Sequence, residues 1–207
     1  RIMGRTRMQA AMPIAARERF VTWSQPLDDH RQRLSQIRPR IERLQLGGAA
    51  GDRAALPHAD SLGAEVALRL GLANPPKAWH AMRDAVVDYA GLLSLISGTL
   101  GKMGQDICLM AQQGVDEIAL DNAGGSSAMP HKQNPVLAEL LVTLARYNAT
   151  QVSAMHQGLV HEQERSGAAW ALEWMVLPQM AQATARSLAA STEICQAISH
   201  VGSKDIR

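Results

Sequence analysis

The chain has 207 residues, 46% hydrophobic and 19% charged, which is enough apolar content for a buried core. A net charge of +2 is too small to argue for nucleic acid or an anionic membrane as partner, and no apolar run reaches the ~18 residues of a membrane-spanning helix. Cys108 and Cys195 are the only cysteines, lie far apart and match no metal spacing, so they read as reduced thiols of a cytoplasmic protein. The chain opens on Arg1 within RIMGRTRMQAAMP and closes on Ile206-Arg207. It is expected to be an internal piece of a longer polypeptide.

The first periodic stretch is a helix near 26–46, with Leu27, Leu34, Ile37, Ile41 and Leu44 in phase, Pro39 as a kink and Gly47-Gly48 as its end. The best-patterned stretch runs from about 77 to 112. Trp79, Met82, Val86, Tyr89, Leu93, Ile96, Leu100, Met103, Ile107 and Met110 alternate spacings of three and four, an a/d seam. Asn74-Pro75-Pro76 precedes it as a start signal. A helix of ~36 residues would be ~54 Å long, more than a compact domain of this size needs. Gly98, Gly101 and Gly104 share one side of it. Glycine costs roughly 1 kcal/mol against alanine inside a helix, so three together imply a backbone crossing closely there.

Residues 124–135, GGSSAMPHKQNP, break the helical pattern. A second helix is expected from Pro135 to about Gly158, and a third from about Ala168 toward Ile198 with Pro178 as kink or break. No segment shows convincing period-2 alternation. The fold class read from this pattern is all-α, a bundle of long helices, as one domain over 1–207.

The loop itself has chemical content. Asn134 suits an N-cap and Pro135 a first helical position, so the amides and positive dipole end of the following helix lie beside the serines and Lys132. Such a place stabilises an anion, and Gly124-Gly125 allows the loop to swing. One reading is a loop that closes over a carboxylate substrate; the other is a polar connection between helices with ordinary capping.

GSSAMPHKQNP at 125–135 resembles the GSSxMPxKxNP signature of the fumarase/aspartase/argininosuccinate lyase superfamily at every fixed position. GRTRMQAAMPI at 4–14 is similar to its GRTHxQxAxP region. LGGAAGDRAAL at 46–56, WHAMRD at 79–84 and HEQERSGAAWALEW at 161–174 resemble segments of its 3-carboxy-cis,cis-muconate cycloisomerases. Adenylosuccinate lyases share MPHKxNP and the Glu164-Arg165 pair but continue as ERDxSxSS, where this chain has ERSGAAW.

The resemblance implies the central helical-bundle domain of the L-aspartase-like fold, with the N-terminal domain and part or all of the C-terminal domain outside these residues. It implies an intramolecular lyase, or cycloisomerase, of protocatechuate (β-ketoadipate) catabolism. The assembly it implies is a homotetramer whose active sites are shared between subunits. The substrate would be a small polycarboxylate, with no metal or organic cofactor and no nucleic-acid or membrane partner. Ser126 is the implied catalytic base, with Lys132 and Asn134 on substrate carboxylates or the aci-carboxylate, and Ser127, Met129 and His131 in the same loop. Glu139 matches the glutamate that in many relatives pairs with a histidine; a dipole-matched surface glutamate is the other reading. That histidine is replaced here by Arg7, which takes on a substrate carboxylate instead. Thr6 and Gln9 match lining positions. His80, Arg83 and Arg165 are further candidates for a tricarboxylate, against a surface histidine, an ion pair of Arg83 with Asp84 or Asp88, and a solvated charged run. A lyase such as adenylosuccinate lyase and a non-catalytic helical scaffold are the competing expectations.

Overall fold

A computed structural model describes residues 1–203 except 122, 126 and 130. In chain order its elements are β1 (Ile2–Thr6), β2 (Gln9–Ile14), α1 (Ala16–Ile41), α2 (Ala59–Leu70), α3 (Asp84–Met110), β3 (Ile118–Leu120), α4 (Val136–Gln157), α5 (Gly167–Ala197) and β4 (Ile198–Val201). Helices dominate, as the periodicity requires, but their limits differ from expectation. α1 begins ten residues earlier than the seam starting at Leu27 implied, because Arg17 to Val21 carry no long apolar phase to mark it. α3 begins at Asp84 rather than 77; residues 77–83 form turns around Trp79 and His80. α2 was not apparent from pattern. Pro178 lies inside α5 without ending it.

Four short strands accompany the helices, although no segment shows convincing period-2 alternation. β1 and β2 are an antiparallel hairpin with a bulge at Gly4/Arg5, and β3 pairs antiparallel with β4. β2 is almost wholly exposed and β3 has three residues, so neither has room for the buried/exposed alternation by which a strand is read.

The chain divides into two compact units. The first holds Arg1–Asp29, Ser94–Ala149 and the residues from Gln182 on. Its core gathers Ile2, Trp23, Leu100, Ile107, Leu141 and Ile194. The close crossing implied by the α3 glycines is real at two of three positions. A Cβ on Gly101 would stand 2.5 Å from Ala145 Cβ, and one on Gly104 would stand 2.8 Å from Leu141 Cβ and collide with the Ala138 carbonyl. Gly98 faces open space. Asn148 donates to Ser97 Oγ (3.1 Å) and Thr184 Oγ1 (2.9 Å), linking α3, α4 and α5 through buried polar groups.

The second unit holds His30–Leu93 and Thr150–Ala181. Its core is built on Trp79, Val86, Leu93, Met155, Val176 and Met180. Trp79 is clamped by hydrogen bonds, indole to Leu44 carbonyl (3.2 Å) and backbone amide to Gln45 Oε1 (2.9 Å). The Arg43 and Arg83 guanidinium carbons lie 5.0 and 4.9 Å from its ring centroid.

Candidate active site

Three groups of candidate residues are positioned by three local devices. The first is the signature loop. Gly124 and Asn134 close its base with reciprocal backbone hydrogen bonds, each 2.8 Å. A Cβ on Gly124 would stand 2.8 Å from Val136 Cγ2, so a side chain there requires Val136 to shift. Within the loop Lys132 N–H donates to the Met129 carbonyl at 2.9 Å. Ser127, Met129, His131 and Lys132 are exposed. Ser126 lies outside the described residues.

The start of α4 is one residue later than expected. Glu139 N–H makes the first helical bond to the Pro135 carbonyl (3.0 Å), which puts Pro135 at the cap. Asn134 is engaged through its backbone with Gly124 instead. The amides of Leu137 and Ala138 remain without helical acceptors, as helix geometry demands. Glu139 is exposed in the first turn, where its charge is favoured. It lies close enough to Cys108 to help burial push that thiol's pKa up.

The second device is the β1–β2 hairpin. Thr6 pairs with Gln9 across a two-residue turn formed by Arg7 and Met8, which have φ of 48° and 67°. Arg7 lines a cavity of about 410 Å³ with Arg5, Arg19, Lys102, Asp106 and Glu117. Lys102 pairs with Asp106, and Arg5 and Arg19 share Glu117. Neither Glu117 nor Arg19 was singled out from sequence; the available signal was a charged residue heading the short apolar run of β3.

The third device lies in the second unit. His80 is 7% exposed rather than a surface residue. Arg165 Nη2 donates to His80 Nδ1 at 3.1 Å, and its guanidinium carbon lies 4.9 Å from the Trp170 ring centroid. The Trp170 indole donates to the His80 carbonyl at 3.3 Å. Burial first, then the charges of Arg165 and Arg83, hold the His80 pKa below its ordinary value. Arg83 does not face Asp84 or Asp88. It grips Glu173 through Nη2 (2.6 Å) and Nε (2.9 Å), with both side chains largely buried, and Asp88 pairs with Arg40. The guanidinium of Arg83 is therefore engaged within the fold. Ser166 caps α5 by accepting from Ala169 N–H at 3.3 Å, which fixes Arg165 just ahead of the helix. The glycine turn 47–51 packs beside this cluster: Gly51 has φ 79°, and a Cβ on Gly47 would stand 3.0 Å from Ala78 Cβ.

A family model described as Lyase matches residues 2–154. The chain belongs to this lyase family of the fumarase/aspartase superfamily. It is 40% identical over 183 residues to a 3-carboxy-cis,cis-muconate cycloisomerase of Pseudomonas aeruginosa, covering 86% of this chain and 40% of the relative. It is 33% identical over 184 residues to an N-acetyl-S-(2-succino)cysteine lyase of Dickeya dadantii, covering 86% and 40%. The 3-carboxy-cis,cis-muconate lactonizing enzyme structure from Pseudomonas putida superimposes with a TM-score of 0.89 at 35% identity, covering 96% of this chain and 44% of that one. The chain thus spans less than half the length of these relatives. Among the described residues no helix is long and apolar enough to cross a membrane.

Proposed function

We propose that the protein containing this chain is a 3-carboxy-cis,cis-muconate cycloisomerase of protocatechuate catabolism. The observation that carries the reading is the signature loop, complete in sequence at 125–135 and pinned at its base by the Gly124–Asn134 pair. The 40% identity to a relative of that activity supports it.

In the lactonising direction one substrate carboxylate adds across a double bond. Negative charge develops on the neighbouring carbon and its carboxylate, giving an aci-carboxylate, and a proton is then delivered to that carbon. The site must supply a proton carrier and clustered donors for the developing charge. Ser126 is assigned the proton transfer. A serine hydroxyl gives up its proton in this direction, and takes one as alkoxide in the reverse, only when the alkoxide is stabilised; Lys132 and the amides at the start of α4 are the stabilising groups. Asn134 and Ser127 contact the substrate, Met129 lines it, and Glu139 is a further catalytic candidate that has Arg7 where its histidine partner stands in many relatives. Thr6, Arg7 and Gln9 present a cation and two hydrogen-bonding groups from the hairpin, and Arg7 binds a carboxylate where many relatives carry a histidine. Arg165, oriented by His80, is a second carboxylate ligand; Arg83 supports this cluster through Glu173. The working protein is a cytoplasmic homotetramer with shared active sites, and no cofactor takes part.

A different lyase reaction is the second reading, favoured by the 33% identity to the Dickeya dadantii enzyme; adenylosuccinate lyase is its best-defined form. The test is an ultraviolet assay of the complete protein with 3-carboxy-cis,cis-muconate and adenylosuccinate offered separately. Loss of the muconate absorbance alone is expected. Turnover of adenylosuccinate alone overturns the assignment.

A further inference from the structure

Arg7 and Met8 both hold positive φ at the centre of a two-residue turn. Turns of this kind favour asparagine and glycine, which adopt that conformation with least strain. Strain on other residues persists where the surroundings over-determine it, and such places cluster at functional sites. Here the surroundings centre on Glu117. Its carboxylate, 1% exposed, accepts from Met3 N–H at 2.7 Å and from Arg5 Nη1 at 2.9 Å to each oxygen. Arg19 Nη1 reaches it at 3.4 Å, while Arg19 Nη2 donates to the Met3 carbonyl at 2.8 Å.

The backbone of Glu117 is held as well. Its N–H donates to the Met110 carbonyl at 2.8 Å, and its carbonyl accepts from Gly202 N–H at 2.9 Å. One residue therefore joins β1 to α1 through its carboxylate, and the end of α3 to the segment after β4 through its backbone. It also supplies the counter-charge for Arg5 and Arg19. Lys102 is matched by Asp106. Among the described residues Arg7 is the cation of this cavity with no carboxylate partner.

We propose that Glu117 is a positioning residue for the reaction: it pins the hairpin so that the strained turn presents the guanidinium of Arg7 to a substrate carboxylate. This rests on the reading of Arg7 as a carboxylate ligand. Charge matters as well as shape, because an amide of the same size leaves Arg5 and Arg19 adjacent without a counter-ion. Removing the carboxylate loosens the turn and lets the neighbouring cations compete for the substrate.

The test is steady-state kinetics of Glu117→Gln, Glu117→Asp, Arg7→Ala and the Glu117→Gln/Arg7→Ala pair in the complete protein with 3-carboxy-cis,cis-muconate. Glu117→Gln is expected to raise KM about tenfold with kcat changed less than about threefold. Glu117→Asp should recover part of that loss. Arg7→Ala should raise KM by a similar factor and add little in the double variant, since both act through one contact. Unchanged KM in folded Glu117→Gln, or fully additive effects, overturns the proposal. If Glu117→Gln does not fold, Glu117→Asp carries the same comparison. If the unmodified protein does not turn over the muconate, the functional reading fails and amide exchange decides the positioning. Selective loss of protection over residues 2–14 in Glu117→Gln sustains it; unchanged protection there overturns it.

Discussion

Arg165 Nη2 donates to His80 Nδ1 at 3.1 Å, and an arginine has nothing with which to accept. The Nδ1 that faces it therefore carries no proton, and the ring is neutral. A proton there would remove the acceptor and set an imidazolium against Arg165 and Arg83. Burial first, and then the charges of Arg165 and Arg83, lower the His80 pKa. In the unfolded chain the ring protonates near its ordinary value of about 6.5. Below that pH the unfolded state binds a proton that the folded state refuses, so stability falls as pH drops from about 7 toward the lowered folded value. The slope from one such proton is at most about 1.4 kcal/mol per pH unit. His80→Gln should flatten this part of the stability curve, measured by urea unfolding between pH 5 and 8.

The Arg83–Glu173 pair is largely buried and bidentate. Removing one member of such a pair strands the other charge, at a cost of about 3–5 kcal/mol. Glu173→Ala should lose stability on that scale. Glu173→Leu combined with Arg83→Met should recover most of it, because neither charge is then left unmatched. Denaturant midpoints of the single and double variants check this.

Gly104 and Gly98 lie on the same helix but should respond in opposite directions. Alanine at Gly104 forces a Cβ to within 2.8 Å of Leu141 Cβ and into the Ala138 carbonyl, and overpacking of this kind costs about 1–3 kcal/mol. Alanine at Gly98 meets nothing within 4 Å and should add about 0.5–1 kcal/mol through helix propensity. Thermal unfolding of the two variants gives the comparison.

Met8 carries a φ of 67°. Met8→Gly should relieve the turn and stabilise the protein by about 1 kcal/mol, partly offset by glycine's freedom in the unfolded chain. If the strain serves to present Arg7, KM for the muconate should rise in the same variant. Unfolding midpoints and steady-state kinetics together test both halves.

Ser126→Ala in the complete protein should lower kcat by at least about a hundredfold if the hydroxyl moves the proton. Lys132→Ala should also lower kcat, since it stabilises the charge that develops during reaction. Unchanged turnover in Ser126→Ala would remove that residue from the role of base.

The helices α3, α4 and α5 were legible because each buries a long stripe, and a stripe at 3.6-residue period is visible in one dimension. The signature loop was legible for a different reason: its run of glycine, serine, lysine, asparagine and proline suits no helix and matches a known motif in full. The strands were not legible, since a two-residue turn made of Arg7 and Met8 has none of the usual turn residues. The contacts of His80 were equally hidden. The helix expected from about 77 included it, whereas it sits in the turn ahead of α3 and meets Arg165, 85 residues away.

The amino-acid sequence alone determined the helical class, the loop and its family, because these depend on short-range pattern. Only the tertiary structure decided which charges are spent on one another. Glu117 with Arg5 and Arg19, and Glu173 with Arg83, are pairs separated by 90 or more residues. Each forms because folding takes the carboxylate out of water at the point where an arginine reaches it, and a buried charge is tolerated only when a counter-charge meets it there. That Arg7, at its strained turn, has no carboxylate partner among the described residues is a property of the folded chain that no local pattern carries.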